Sequence, residues 1–241
     1  MTPKHECVLP TALQIPAMNK LAGKRVILAS ASPRRREILK TFGLVPEVVV
    51  SKFTEDLPKS SFPNVYEYPV ATATEKGVEA YERLLAENPD DPPDLVIAAD
   101  TVVLTHHAPP TSDVAPSVFA DEMPDILERP HSKADNFRML LDLNGGSCEV
   151  VTGVSVVYPV LQAPGYNIRS IDERTIVYFS ENSRPGEGLD AAGGFAAQGM
   201  GGMLLRKFDG DYWNVVGFPA ASFFKLIQLL IDEEDDFLTI E

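Results

Sequence analysis

The chain has 241 residues, enough to bury one substantial core, and a formal net charge of −14 that argues against non-specific nucleic-acid binding and against an anionic membrane surface. Functional positive charge must therefore be local, and a basic pocket on an acidic protein suits a small anion better than a polyanion. Two cysteines, Cys7 and Cys148, are too few for a disulfide framework, and with no zinc-type Cys/His spacing, no long apolar span and no secretory start the expectation is a soluble, cytoplasmic protein.

Residues 1–22 read as a weakly ordered leader, ahead of a single domain over 23–232 and an acidic, frayed tail over 233–241. The domain opens on Arg25 to Leu39. Val26-Ile27-Leu28-Ala29 is an apolar run of strand type, and Ser30-Ala31-Ser32 then supplies hydroxyls suited to a turn and a helix N-cap. Pro33 fits the first helical position, where its missing N–H costs nothing. Arg34, Arg35 and Arg36 fall in the first turn, although a helix start carries partial positive charge and favours Asp or Glu there. Three cations in that place point to an anion filling the site; pairing of Arg35 or Arg36 with nearby carboxylates is the plainer alternative.

Glu47-Val48-Val49-Val50 reads as a second strand running into a polar turn, in which Glu55 is either a metal or water ligand or a solvated acid. Helical spacing follows from Val70 to Leu85, and on spacing alone Lys76 is a surface lysine. Leu95 to Ala99 is a near-continuous apolar run that predicts a strand buried on both faces, ending at Asp100-Thr101. Open α/β sheets bind ligands beyond the carboxyl ends of their strands, so Asp100 is a candidate for chemistry; a cap acid is the alternative.

Thr105 to Asp125, with four prolines and no periodicity, reads as a surface insertion. Ser132 to Leu143 resumes helix. Glu149 to Tyr158 predicts a core strand, and Glu173 to Phe179 its antiparallel partner, which makes the sheet mixed. The glycine-dense run from Gly193 to Gly202 allows close backbone approach to a ligand but fits neither the Walker nor the dinucleotide pattern. Asp209-Gly210 predicts a hairpin between Met203-Phe208 and Tyr212-Val216, and a last amphipathic helix runs through Phe223 to Leu230.

Leu28-Ala29-Ser30-Ala31-Ser32-Pro33-Arg34-Arg35 resembles the opening signature of the Maf nucleotide pyrophosphatases. Ala99-Asp100-Thr101-Val102-Val103 resembles their second motif and Gly193-Gly194-Phe195-Ala196-Ala197-Gln198-Gly199 their third, in the same order, so the likeness runs from about Arg25 to Leu230. Ser51-Lys52-Phe53 and Asn214 to Pro219 bring it nearest to eukaryotic members. The resemblance implies an α/β fold, a twisted mixed sheet flanked by helices with two lobes around a cleft, similar to inosine triphosphate pyrophosphatases. It also implies a hydrolase that cuts nucleoside triphosphates between the α and β phosphates with Mg²⁺ or Mn²⁺.

Carried over by motif, Asp100 and Glu55 would be the catalytic and metal-holding acids, while Ser32, Arg34, Arg35, Lys76 and Arg129 would engage phosphates. Arg34, Thr101 and Gln198 match the branch acting on dTTP and UTP rather than the 7-methyl-GTP branch, which stays open as an alternative. Two departures are Arg129 where relatives carry Lys before Pro, and Ala191 where they carry Lys. With a short Ser180 to Pro185 segment, these keep a third reading in view, a nucleotide-binding regulatory module with little turnover. Related proteins are often homodimers; no feature of this sequence marks an interface.

Overall fold

Residues 5–105, 124–127, 131–181 and 196–239 are described by the computed structural model of the protein. In chain order the elements are α1 (Pro16–Leu21), β1 (Val26–Leu28), α2 (Pro33–Thr41), β2 (Glu47–Val48), α3 (Glu67–Glu87), β3 (Leu95–Thr105) and β4 (Asp125–Leu127). There follow α4 (Lys133–Asp142), β5 (Ser147–Pro159), β6 (Tyr166–Phe179), β7 (Leu205–Asp209), α5 (Tyr212–Val216) and α6 (Ala220–Glu233). The strands form one mixed sheet in the order β2-β1-β3-β5-β6-β7, with β4 paired to β3. Thus the expected α/β architecture with a mixed sheet between helices is present.

β1 pairs in parallel with β2 on one side and β3 on the other. The chain therefore leaves β1 in one direction through α2 and returns in the other through α3. Side-chain alternation places these helices on opposite faces. Leu28, Leu95 and Ile97 pack with Ile38 and Leu39 of α2 and with α6, whereas Ile27, Ala29, Val96 and Ala98 pack with Ala80, Tyr81 and Leu84 of α3. A topological switch point consequently lies beyond the carboxyl ends of β1 and β3, where an open α/β sheet leaves a crevice. The far half of β3, with β4, α4, the start of β5 and the end of β6, builds a separate, smaller core around Val103, Leu140, Val150 and Phe179.

Four expectations need correction. The leader is not loosely ordered from residue 5 onward: Cys7, Ala17, Met18 and Leu21 are buried in the main core, and Val45 N–H donates to the Cys7 carbonyl at 2.6 Å. Nor does the tail fray at once, because Phe237 and Leu238 are buried and the Phe237 ring stands edge-on to Tyr158 at 5.0 Å. The second arm of the expected hairpin is helix α5, since the Asp211 side chain caps it by accepting from Trp213 N–H and Asn214 is drawn inward to Val150, Glu173 and Thr175. Finally, β2 stops at Val48, and residues 49–58 continue without regular structure.

The body of the surface insertion, Arg129, Ala191 and the Gly193-Gly194-Phe195 part of the third motif lie outside the described residues. Among the described residues no helix is long and apolar enough to cross a membrane.

Candidate active site

A cleft of about 420 Å³ opens at the switch point, lined by Ala29 to Arg35, Val50, Ser51, Phe53, Glu55, Lys76 and Asp100. Its floor is the turn after β1. Ser30 is buried, and its hydroxyl oxygen accepts from Ser32 N–H at 3.2 Å, which folds the turn back on itself. Ser32 is the N-cap of α2, its hydroxyl oxygen accepting from Arg35 N–H at 3.4 Å, and Pro33 occupies the first helical position as expected. The amino end of α2, where helix N–H groups and the macrodipole favour an anion, is thereby aimed into the cleft.

β3 supplies the opposite wall, and its pleat decides who meets whom. Asp100 shares the face of Val96 and Ala98 and so turns to α3; Thr101 shares the face of Ala99 and turns to α2. Lys76 of α3 is accordingly not a surface lysine. It is buried, and its Nζ donates to Asp100 Oδ1 at 2.9 Å and to Glu55 Oε1 at 2.8 Å. One ammonium thus draws together the two carboxylates that the motifs singled out. Asp100 is only 14% exposed and held in the strand, while Glu55 is 58% exposed on the rim.

This meeting depends on a residue that local sequence does not flag. Gly153 of β5 is the register partner of Asp100, and a Cβ there would collide with the backbone of Pro69 and Val70 at the start of α3. Only glycine lets the helix lie this close to the sheet.

Arg35 lies on the other face. Its guanidinium donates to the Ala99 carbonyl at 2.8 Å, the Ser30 hydroxyl at 3.2 Å, the Thr101 hydroxyl at 3.0 Å and the Gly217 carbonyl at 3.0 Å. These bonds make it a brace that ties α2, the turn after β1, β3 and the end of α5 together at the cleft wall. Gly217 offers its carbonyl from a φ of +127°, a conformation suited to glycine at this C-cap. Thr101 bonds Arg35 and Thr152 at 3.0 Å each and is not part of the cleft lining. Arg34 lines the cleft; Gln198 is exposed and does not.

The remaining wall, Val50 to Phe53, is fastened to α3 by groups that sequence reading passed over. Glu79 accepts from Ser51 Oγ and from Lys52 N–H, both at 2.8 Å, and from Arg83 Nε at 2.7 Å. Burial tends to raise the Glu79 carboxyl, but the hydrogen bonds from Arg83, Lys52 and Ser51 outweigh it and hold the group below its ordinary range.

Among the described residues no group of three or more His, Cys, Asp or Glu side chains converges as a closed metal cage. Two carboxylates around one cation do match the way Mg²⁺ is usually held, by one or two carboxylates together with substrate phosphates. The site can therefore gather a polyanion, hold a hard cation at its edge and present a carboxylate to water.

Comparison with known proteins adds an independent line. A family model described as "Maf-like protein" matches residues 25–230. The chain is 41% identical over 220 residues to the human "Probable bifunctional dTTP/UTP pyrophosphatase/methyltransferase protein", covering 87% of this chain and 32% of that protein. It therefore spans about a third of that relative's length. With the dTTP/UTP pyrophosphatase of Schizosaccharomyces pombe it shares 35% identity over 230 residues, 90% of this chain and 88% of the relative. The dTTP/UTP pyrophosphatase of Deinococcus radiodurans is 35% identical over 209 residues, covering 85% and 92% respectively.

Proposed function

We propose, from the premise that this chain belongs to the Maf-like protein family, that its cleft hydrolyses dTTP or UTP to the monophosphate and pyrophosphate. The observation that carries this reading is the convergence, on one crevice, of the amino end of α2 with a lysine that bridges two carboxylates.

A nucleoside triphosphate brings up to about four negative charges, and cleavage at the α–β bond leaves more of it on the departing pyrophosphate. Donors fixed before the reaction stabilise that charge without reorganising. Here the amino end of α2 presents its dipole and Arg34 supplies a cation, and Lys76 supplies a second from the opposite wall. Arg35, on the cleft lining, lends positive charge while keeping Ala99 to Thr101 and the α2 turn in register. Arg129 and Gln198 belong to the proposed substrate-binding set through the motif likeness alone.

Water is a poor nucleophile at neutral pH, so a base must take its proton. Asp100 is the better placed base, because it is sheltered and anchored in a strand, whereas Glu55 stands on the open rim. A Mg²⁺ or Mn²⁺ ion bound by Asp100 and Glu55 would lower the pKa of attacking water and offset phosphate charge. Lys76 keeps both acids pointed at one place.

Incubating the pure protein with a nucleotide panel and Mg²⁺ or Mn²⁺ tests the reading. Pyrophosphate release from dTTP or UTP is the expected result. Release from none of the triphosphates overturns it, and preference for 7-methyl-GTP would replace the substrate class.

A further inference from the structure

The segment between β2 and α3 contributes Val50, Ser51, Phe53 and Glu55 to the cleft, yet it has no strand or helix to hold it in place. Only Val49 N–H, donating to the Leu28 carbonyl at 3.1 Å, extends the β1–β2 ladder into it. From Val50 onward the fastening comes from one turn of α3. Arg83 donates through NH2 to the Val50 carbonyl at 3.1 Å and through Nε to Glu79 at 2.7 Å. Glu79 receives Lys52 N–H and the Ser51 hydroxyl, and that same hydroxyl oxygen accepts from Phe53 N–H at 3.1 Å. Two backbone groups, the Val50 carbonyl and the Lys52 N–H, are therefore held by one ion pair together with the Ser51 hydroxyl, and the Phe53 amide is held through Ser51.

Geometry makes this pair part of the site rather than a surface decoration. Glu79 lies one turn beyond Lys76 on α3, so the same helix that carries the bridging lysine also sets the wall facing it. The Glu79 and Arg83 side chains are 25% and 17% exposed, and an ion pair so sheltered and bonded at several points is screened less than one in open solvent. Hydrogen bonds from Arg83, Lys52 and Ser51 hold the Glu79 carboxyl below its ordinary range.

We propose that Glu79, paired with Arg83, is a positioning residue for substrate binding: it holds Val50 to Phe53 as the wall of the nucleotide cleft opposite α2. The proposal rests on the reading of this cleft as the triphosphate site. Glu79 touches no reacting atom; it sets where the wall stands. The wall residues it holds are those that form the cleft surface, whereas Glu55 has its own tie to Lys76, so the effect falls on KM more than on kcat.

The test uses the full chain with Glu79→Ala, Glu79→Gln and Ser51→Ala, measuring kcat and KM for dTTP or UTP with Mg²⁺. Amide hydrogen exchange without nucleotide is followed alongside. Glu79→Ala should raise KM about tenfold and lower kcat by less than about threefold. Exchange should speed up at residues 50–53 and stay unchanged in β1, β3 and β5. Glu79→Gln keeps an acceptor for Ser51 and Lys52 and should recover most of the KM; Ser51→Ala should raise KM about threefold with the melting temperature unchanged. A KM within twofold of the parent in Glu79→Ala or Ser51→Ala, or exchange rising across the whole sheet, overturns the proposal. Should Glu79→Ala fail to fold, Ser51→Ala decides it by the same criteria. If the unmodified protein hydrolyses no triphosphate, the reading of the cleft fails instead, and faster exchange confined to residues 50–53 still reports whether Glu79 holds the wall.

Discussion

Arg35 and Lys76 approach the same strand from opposite faces, and their surroundings differ in kind. The arginine fork donates to the backbone carbonyls of Ala99 and Gly217 and to the hydroxyls of Ser30 and Thr101. The lysine ammonium meets two carboxylates, Asp100 and Glu55, whose charge is available for chemistry. A planar guanidinium with five donors is suited to bracing several backbone segments at once, and a compact ammonium on a flexible stem is suited to sharing and releasing charge. Under the proposed function, two cations at one cleft would have separate duties, Arg35 holding the frame and Lys76 serving the reaction.

Replacing Asp100 by Asn sharpens that contrast most. Hydrolysis should fall by about 10³-fold or more while the melting transition persists, as read by a pyrophosphate-release assay and thermal unfolding. Next comes the direct exchange of roles. Lys76→Gln should lower kcat/KM about 10²-fold with little change in melting, because the remaining carboxylates face an open cleft. Arg35→Lys keeps the charge but loses the fork, and should lower unfolding stability by about 2–3 kcal/mol in urea titrations while activity follows the folded fraction. If Arg35→Lys instead leaves stability intact and abolishes turnover, the division of duties is broken.

A smaller effect, far from both cations, provides a control. Burial first, then the carboxylate that accepts each hydroxyl, push Tyr66 beside Glu149 and Tyr158 beside Glu234 up to about 12. The folded protein keeps these protons where the unfolded chain, with phenols near pH 10, has lost them. Stability from these groups is therefore full below about pH 10 and is lost as pH rises toward about 12. Denaturant unfolding at stepped alkaline pH should show this decline, and Tyr66→Phe with Tyr158→Phe should flatten it. Smallest is the response to thiol reagents. Burial raises Cys7 to about 11 and raises Cys148 further, so native protein at neutral pH should label slowly at both and promptly in denaturant.

How much of this was legible beforehand depends on how local the cause is. The β1–Ser-turn–α2 unit was readable because its signals are neighbours in the chain: an apolar run, a capping serine and a proline at the first helical position. The Leu95 to Ala99 run announced a strand buried on both faces by the same logic. Tyr212 to Val216 misled, since two aromatic and two β-branched side chains around Asn214 look like strand, and only the Asp211 cap and the inward pull on Asn214 make a helix. The leader and tail misled in another way. Cys7, Leu21 and Phe237 are too sparse to form a pattern, and the surfaces that receive them come from distant segments.

Composition and the order of apolar and capping signals were sufficient for the class of fold, and the motif residues Arg34 and Asp100 pointed to one cleft that both of them line, because each signal depends on groups a few residues apart. What the folded chain alone decided is which face each residue takes. The alternation of β3 sends Asp100 to α3 and Thr101 to α2, Gly153 lets α3 come close enough for Lys76 to reach two acids, and Glu79 fastens a wall that no local signal connects to it. Contacts around the cleft join residues separated by up to 182 positions, Arg35 with Gly217, and such pairings are set by packing rather than by neighbours.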